Sequence, residues 1–184
     1  MTVSADCGIE IERKYVILKP DESLMCASSD YTVSDITQIY LDAPAGVTHR
    51  VRSREYPDRT VYTETRKRRI SATTAFEDEG EIDCTAFAAL SANPKPGTRP
   101  IVKRRHTFRY LDQIFEIDIY PEWHSTAIME TELADADSHA EIPPFITVVA
   151  EVTGDKRYSN ASMSHSFPEE THVESLVCLT KQTN

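Results

Sequence analysis

The sequence predicts a mainly β fold of the α+β class, in which eight antiparallel strands form a barrel or a sandwich. Three observations support this prediction: eight short runs alternate polar and apolar residues, short turn-rich connections separate most of them, and most runs gather their charges on one face. The chain has 184 residues, of which 40% are apolar, enough for one hydrophobic core. We therefore expect a single domain over residues 1–184, with its core at about 8–165 and a weakly structured tail at 166–184.

The first run, "GIEIERKYVI" at residues 8–17, alternates strictly through its first seven residues. Ile9 and Ile11 fall on one face, and Glu10, Glu12 and Lys14 fall on the other. Turn signals separate several of the later runs, such as "DAPAG" after the second and "YPDR" after the third. The seven further predicted strands cover residues 37–42, 47–55, 60–67, 75–82, 100–108, 113–120 and 126–133.

Three helices are predicted between and after these strands. Asp83 is the predicted N-cap of a helix with the body "CTAFAALSA", which "NPKPG" ends. Two short helices are predicted later, at "ADADSHAEI" and "DKRYSNASMS", with the extended segment "PPFITVVAEV" between them. We expect the helices to pack outside the strands.

The charged faces favour a barrel over a sheet with its charges in water. Acids cluster on predicted strands 1, 5, 7 and 8, and bases cluster on strands 3, 4 and 6. Like charges at neighbouring positions of a sheet destabilise it. A one-sided sheet with a solvated face is the alternative for any single strand. Closing the eight strands with the charges inside would compensate them, and the lumen of such a barrel has room for side chains or one small ligand.

The residue types inside such a lumen predict a site for metal and polyphosphate. Carboxylates suit Mg²⁺ or Mn²⁺, and no His or Cys cluster offers a zinc site. Arginine can fork onto phosphate oxygens and lysine can act as a point charge. Phosphoryl transfer needs mainly positioning and charge stabilisation, which this combination supplies.

Composition argues against other classes of partner. The net charge of -10 and the pI near 5.0 argue against a general role on nucleic acid or a membrane surface. The four cysteines have no metal-binding spacing and indicate reduced thiols. No signal peptide or transmembrane run is present, so we expect a cytoplasmic protein. A homodimer is compatible with the sequence, but no feature requires one.

The motifs resemble those of a known family. "EIERK" at residues 10–14 is similar to the N-terminal ExExK signature of the CYTH superfamily, the triphosphate tunnel metalloenzymes. "EVTGDKRYSNASM" at 151–163 resembles the C-terminal motif of its bacterial branch, which includes inorganic triphosphatases. The motifs between them follow in family order: "QIYL", "RVR", "TRK", "EDE", "KRR", "FEID" and "ETE".

The resemblance implies an eight-stranded, closed antiparallel β-barrel, or tunnel, that binds a small-molecule triphosphate with Mg²⁺ or Mn²⁺. The implied metal-side acids are Glu10, Glu12, Glu77, Glu79, Asp118, Glu130 and Glu132. The implied phosphate-binding residues are Lys14, Arg50, Arg52, Lys67, Lys103 and Arg105. The implied catalytic residues are Glu10, Glu12, Lys14 and Glu79.

One position departs from the family pattern. The family usually reads RxExE on the fifth strand, and this chain has Ala75 where the arginine would fall. One phosphate contact is then missing, or it comes from Arg66, Arg68 or Arg69 on the preceding strand.

Several activities occur in the family. The resemblance ranks hydrolysis of inorganic triphosphate first, ahead of nucleoside or thiamine triphosphate hydrolysis and of class IV adenylate cyclisation. A tunnel that binds polyphosphate or nucleotide without turnover is the alternative from another class. Trp123 would stack on a base if it lay at the tunnel mouth, and otherwise it is a packing residue.

Overall fold

The computed structural model describes residues 6–28, 30–70, 74–133 and 138–170, and it describes residues 6–10 and Thr74 by their backbone alone. Within these ranges the chain forms nine strands, three short α-helices and one 3₁₀ helix. The strands are β1 (Asp6–Leu18), β2 (Thr32–Leu41), β3 (Thr48–Glu55), β4 (Thr60–Arg69), β5 (Thr74–Ile82), β6 (Ile101–Tyr110), β7 (Gln113–Ile119), β8 (Thr126–Glu132) and β9 (Val148–Glu151). The α-helices are α1 (Glu22–Met25), α2 (Cys84–Ser91) and α3 (Asn160–Met163), and the 3₁₀ helix is Lys156–Tyr158.

All the strands belong to one sheet, in the order β5-β4-β3-β2-β6-β7-β8-β1-β9, and every pairing is antiparallel. Different parts of β1 pair with different strands. Its first half pairs with β5, where Gly8 lies opposite Glu77. Its second half pairs with β8, where Lys14 lies opposite Glu130. The prediction of a mainly β, antiparallel fold with few helices is confirmed, and β9 brings the sheet to nine strands.

The strand order sorts the charged faces into two groups. The acid-bearing strands β7, β8, β1 and β5 follow one another through their pairings. The base-bearing strands β4, β3 and β6 lie together on the other side, with β2 between β3 and β6. The inner face therefore has one group of mainly basic strands and one group of mainly acidic strands.

Two apolar clusters hold the sheet together. The outer cluster packs Ile17, Phe115 and Met129 beneath Met25 of α1 and Ile146 of the segment before β9. The inner cluster lies on the same faces of the strands as the charged residues, but further along them, where α3 seals the inner face with Met163. Its members are Val16, Tyr40, Ile101, Tyr120, Trp123, Ile128, Val152 and Met163. One end of the interior is therefore dry, which strengthens electrostatic interactions among the charges next to it.

The helices agree with the sequence in part. Asp83 caps α2 by accepting a hydrogen bond from the Ala86 N–H, as predicted. "DKRYSNASMS" forms the 3₁₀ helix and α3, separated by the cap residue Ser159. The helix predicted over "ADADSHAEI" is wrong for residues 138–142, which form no helix, and residues 134–137 lie outside the described ranges. In the described ranges, none of the helices has the length and apolarity needed to cross a bilayer.

The start of the predicted tail is also ordered by contacts. Trp123 donates from its indole nitrogen to the Pro168 carbonyl at 3.1 Å. The Glu170 carboxylate accepts backbone hydrogen bonds from His124, Ser125 and Thr126 at 2.6–2.9 Å. Residues 166–170 form no helix or strand but are held by these contacts, and residues 171–184 lie outside the described ranges.

Candidate active site

The inner face of the sheet encloses a cavity of about 840 Å³. The structure brings eleven of the predicted site residues together on its wall: Glu12, Lys14, Arg50, Arg52, Lys67, Glu77, Glu79, Lys103, Arg105, Glu130 and Glu132. Asp118 lies in contact with this group but is fully buried beside the wall. Glu10 precedes Glu12 on β1 by one pleat repeat, and its side chain lies outside what the structure describes.

Strand geometry explains why these residues meet. Successive side chains of a strand point to opposite faces, so residues two apart share a face. On β3, for example, Arg50 and Arg52 face the cavity while Val51 and Ser53 are buried on the other face. The same alternation on β4 to β8 brings charged residues of one parity onto the cavity wall.

Ion pairs link the neighbouring strands β3, β4 and β5 along the cavity wall. The Arg50 guanidinium lies 2.8 Å from the Glu77 carboxylate, and the Arg52 guanidinium lies 2.7 Å from Glu79. The Lys67 ammonium contacts the second oxygen of Glu77 at 2.7 Å. Both acids therefore serve as counter-ions of predicted phosphate-binding residues in this structure, and their role as metal ligands remains a prediction.

A second group of ion pairs lies between β6 and β7. Asp118 accepts hydrogen bonds from the Lys103 ammonium at 2.5 Å and from the Arg105 guanidinium at 2.6 and 2.7 Å. Arg105 also donates to Glu116 and, at 3.0 Å, to Glu130. Because both oxygens of Asp118 are bonded to cations, its carboxylate holds Lys103 and Arg105 in place.

Burial shifts the pKa values of this second group. Burial and the neighbouring charge of Arg105 lower the pKa of Lys103 to about 8, against the attraction of Asp118. Burial alone would raise the pKa of Asp118, but the charges of Arg105 and Lys103 outweigh it and hold that pKa below its ordinary value. Arg105 keeps its charge, because its acidic neighbours outweigh its burial and raise its pKa.

The acids of β1, β7 and β8 meet at another part of the cavity. Glu12 and Glu132 are paired in register between β1 and β8. Burial raises the pKa of Glu132, and the negative charges of Glu116 and Glu12 raise it further. A divalent cation would relieve this repulsion, and carboxylate oxygens are the ligands that Mg²⁺ and Mn²⁺ prefer. The donor set therefore fits such a metal, although the described side chains include no group of three or more His, Cys, Asp or Glu already gathered to hold one.

Comparisons with known proteins agree with the motifs. No family model and no curated protein matches the chain. A solved structure described as the inorganic triphosphatase NE1496 is 28% identical, with a TM-score of 0.55, and the match covers 91% of this chain and 98% of that one. These likenesses support the resemblance of the chain to the CYTH superfamily.

Two other solved structures are similar to this chain in fold alone. PH1819 from Pyrococcus horikoshii OT3 is 19% identical with a TM-score of 0.52, and the match covers 70% of this chain and 80% of that one. A candidate adenylyl cyclase from Hippeastrum, HpAC1, described as having a dominant triphosphatase activity, is 18% identical with a TM-score of 0.50. That match covers 68% of this chain and 80% of the other.

The cavity also contains residues to which the sequence assigned no catalytic or binding role. Gln38 and Tyr40 line it from β2 and are joined by a 2.5 Å hydrogen bond, and Arg54 lines it from β3. Their positions follow from period-two alternation, so the signal was present in the sequence. Lys156 and Asn160 also reach the wall, because the segment after β9 folds back over one end. The resemblance of the C-terminal motif implies that Asp155 to Tyr158 border one mouth of the tunnel, whereas no local pattern by itself predicts the contact.

Trp123 is a packing residue in this fold. It is 3% exposed, belongs to the inner apolar cluster and packs edge-on against Tyr120 and Phe167. It does not line the cavity. The packing interpretation of this residue is therefore confirmed.

Proposed function

We propose that this protein is a member of the CYTH superfamily that hydrolyses a triphosphate inside the cavity, and that inorganic triphosphate is its substrate. Water would attack a terminal phosphorus, the bridging P–O bond would break, and pyrophosphate and phosphate would leave. One observation carries the proposal. A single cavity, which is also lined by carboxylates, contains all six predicted phosphate-binding cations on its wall: Lys14, Arg50, Arg52, Lys67, Lys103 and Arg105. The 28% identity to a structure described as an inorganic triphosphatase supports this choice of substrate.

We propose further that the first eight strands form a closed tunnel around the substrate. The pairing of β1 with both β5 and β8 supports closure, because β5 and β8 would otherwise be edges of the sheet. A closed wall excludes bulk water, and charges attract a bound anion more strongly in such a setting.

The cations are held ready for phosphate by the acids that they contact. Arg50 and Arg52 each use one terminal nitrogen on β5 carboxylates, and their Nε atoms are buried without a hydrogen-bond partner. A phosphate oxygen could satisfy these donors, since a guanidinium can donate to phosphate through two nitrogens at once. Substrate binding would then replace carboxylate contacts with phosphate contacts, leaving Glu77 and Glu79 available for other partners.

Mg²⁺ or Mn²⁺ would be held by Glu12 and Glu132, together with Glu10, whose side chain is outside the description, and with Glu130 as a further candidate. Such a metal supplies neutralisation of phosphate charge and orientation of phosphate oxygens. Glu116 lies close enough to raise the pKa of Glu132, and its carboxylate is a further candidate metal ligand.

The chain's own residues would stabilise the charge that develops as the bond breaks. Arg105 and Lys103 are almost fully buried and fixed by Asp118, so they need no rearrangement at the moment of reaction. Lys14 is buried and lies 2.7 Å from Glu130, which keeps it protonated and aimed at the cavity. Glu79 is more accessible, at 27% exposure, and would orient the attacking water once phosphate takes Arg52.

Phosphate release tests the proposal. The purified protein is incubated with Mg²⁺ or Mn²⁺ and with inorganic triphosphate, pyrophosphate, ATP or thiamine triphosphate in parallel. We expect the fastest metal-dependent release from inorganic triphosphate. Cyclic AMP from ATP would overturn the hydrolase assignment, and faster release from ATP or thiamine triphosphate would overturn the choice of substrate. Tight triphosphate binding with no release under any metal would leave only a binding function.

A further inference from the structure

We propose that Arg69, the last residue of β4, is a phosphate-binding residue that takes the place of the side chain missing at position 75. This proposal rests on the proposed triphosphate-binding function. Arg69 lies directly opposite Ala75 in the β4–β5 pairing. It lines the main cavity and also a small recess beside it, which Glu12 and Lys14 share.

Strand alternation separates Arg69 from its neighbouring arginines. Arg69 has the same parity as Lys67, whose side chain points into the cavity. All three arginines are exposed, but Arg66 and Arg68 have the opposite parity, and Arg66 pairs with Glu64 on the outer face at 2.7 Å. Of these three arginines on β4, Arg69 is the one on the cavity wall.

The register gives Arg69 access to the space beside position 75. Residues directly opposite in an antiparallel pair have Cβ atoms about 5 Å apart, which is less than the length of an arginine side chain. Ala75 is 5% exposed and presents only a methyl group. The next inward pair along these strands is Lys67 opposite Glu77, so Arg69 extends the row of cations on β4 by about 7 Å.

This extension predicts a preference for longer anions. Arg69 shares its recess with Glu12, so it lies at the end of the cavity where the proposed metal-side acids begin. A triphosphate bound along the cations could reach Arg69 with its terminal phosphate, whereas the shorter pyrophosphate would reach fewer of these groups. Arg69 should therefore contribute more to triphosphate binding than to pyrophosphate binding.

Calorimetric titration with inorganic triphosphate and with pyrophosphate tests this inference. Arg69→Ala should weaken triphosphate binding by about tenfold, the effect of one charge-assisted hydrogen bond, and weaken pyrophosphate binding less. Arg68→Ala is the matched control, because Arg68 is one position away and has the parity of the outer face. This variant should bind both anions with wild-type affinity. Adding Ala75→Arg to the Arg69→Ala variant should restore most of the affinity by returning a guanidinium to the same space.

The outcomes separate this inference from the proposed function. Wild-type protein that neither binds nor hydrolyses triphosphate would refute the proposed function. Wild-type activity with equal binding by the Arg69→Ala and Arg68→Ala variants would refute the role of Arg69 alone. A loss in Arg69→Ala that is equal for both anions, is not restored by Ala75→Arg and comes with a lower Tm would assign Arg69 to folding and would also refute it.

Discussion

Replacing Asp118 with asparagine should destabilise the protein strongly, because this carboxylate is the buried counter-ion of two cations. Asp118 is 0% exposed, and the side chains of Lys103 and Arg105 are 2% and 8% exposed. Asparagine keeps the shape but removes the charge. Lys103 would keep only weaker attractions, and Arg105 would depend on Glu116 and Glu130.

The magnitude follows from the burial of this group. Removing one partner of a buried ion pair costs about 3–5 kcal/mol, and the remaining contacts of Arg105 place this case near the lower value. For a protein of this size, about 1 kcal/mol corresponds to a change of about 2–4 °C in Tm. Asp118→Asn should therefore lower Tm by about 6–12 °C in a thermal melt without metal.

Glu116→Gln provides the matched control for this measurement. Glu116 lies on the same strand and contacts the same arginine, but it is 29% exposed, so its loss should cost about 1 kcal/mol or less. Equal Tm values for the two variants would refute the counter-ion argument. If Asp118 is instead mainly a metal ligand, Asp118→Asn would leave the metal-free Tm unchanged and shift only the metal dependence of activity.

Three further predictions concern binding. Arg52→Ala should weaken triphosphate binding by about tenfold and leave metal binding unchanged. Arg66→Ala, on the outer face, is the control and should change neither affinity. Equal losses of triphosphate affinity in both variants would contradict the phosphate role of Arg52. Glu132→Gln should raise the Mg²⁺ concentration for half-maximal phosphate release by about tenfold or more. Asp78→Asn, on the exposed face, is the control. If both variants need the same Mg²⁺ concentration for half-maximal release, Glu132 does not belong to the metal site. Triphosphate affinity should fall as the pH rises from about 7 to about 9, because Lys103, with a pKa of about 8, is charged below that pKa and neutral above it. Lys103→Arg should flatten this pH profile, because arginine stays charged. A flat wild-type profile would contradict the prediction.

The strands were predictable because each one carries its own period-two pattern. All eight predicted runs became strands, with shifts such as the start of β2 at Thr32 instead of residue 37. α1 was not predicted, because a four-residue helix has no periodicity to read. It depends on the Asp21 cap and on the burial of Met25 against distant strands. β9 was predicted as extended, but its pairing with β1 could not be read from local sequence.

The site was predictable to the level of the face, but not to the level of each contact. Alternation alone predicts that the charged residues share one face of the sheet, and these residues line the cavity in the structure. Glu116 and Asp118 share that face, yet only Asp118 is fully enclosed by cations, because the β6–β7 register sets it opposite Arg105. Register depends on the order of strands in the sheet, and a single sequence does not display that order.

The pairings of β1 set the order in which this molecule can assemble. β1 is made first, but its partners β5, β8 and β9 lie far along the chain, and the last of them begins at Val148. Until those strands are synthesised, β1 presents unpaired backbone groups and alternating isoleucines, which is a template for aggregation. Joining it to β8 closes a loop of more than a hundred residues, and such late, long-range pairing slows folding. Chaperones that delay collapse of the nascent chain should therefore raise the yield of this protein more than changes to the cavity would.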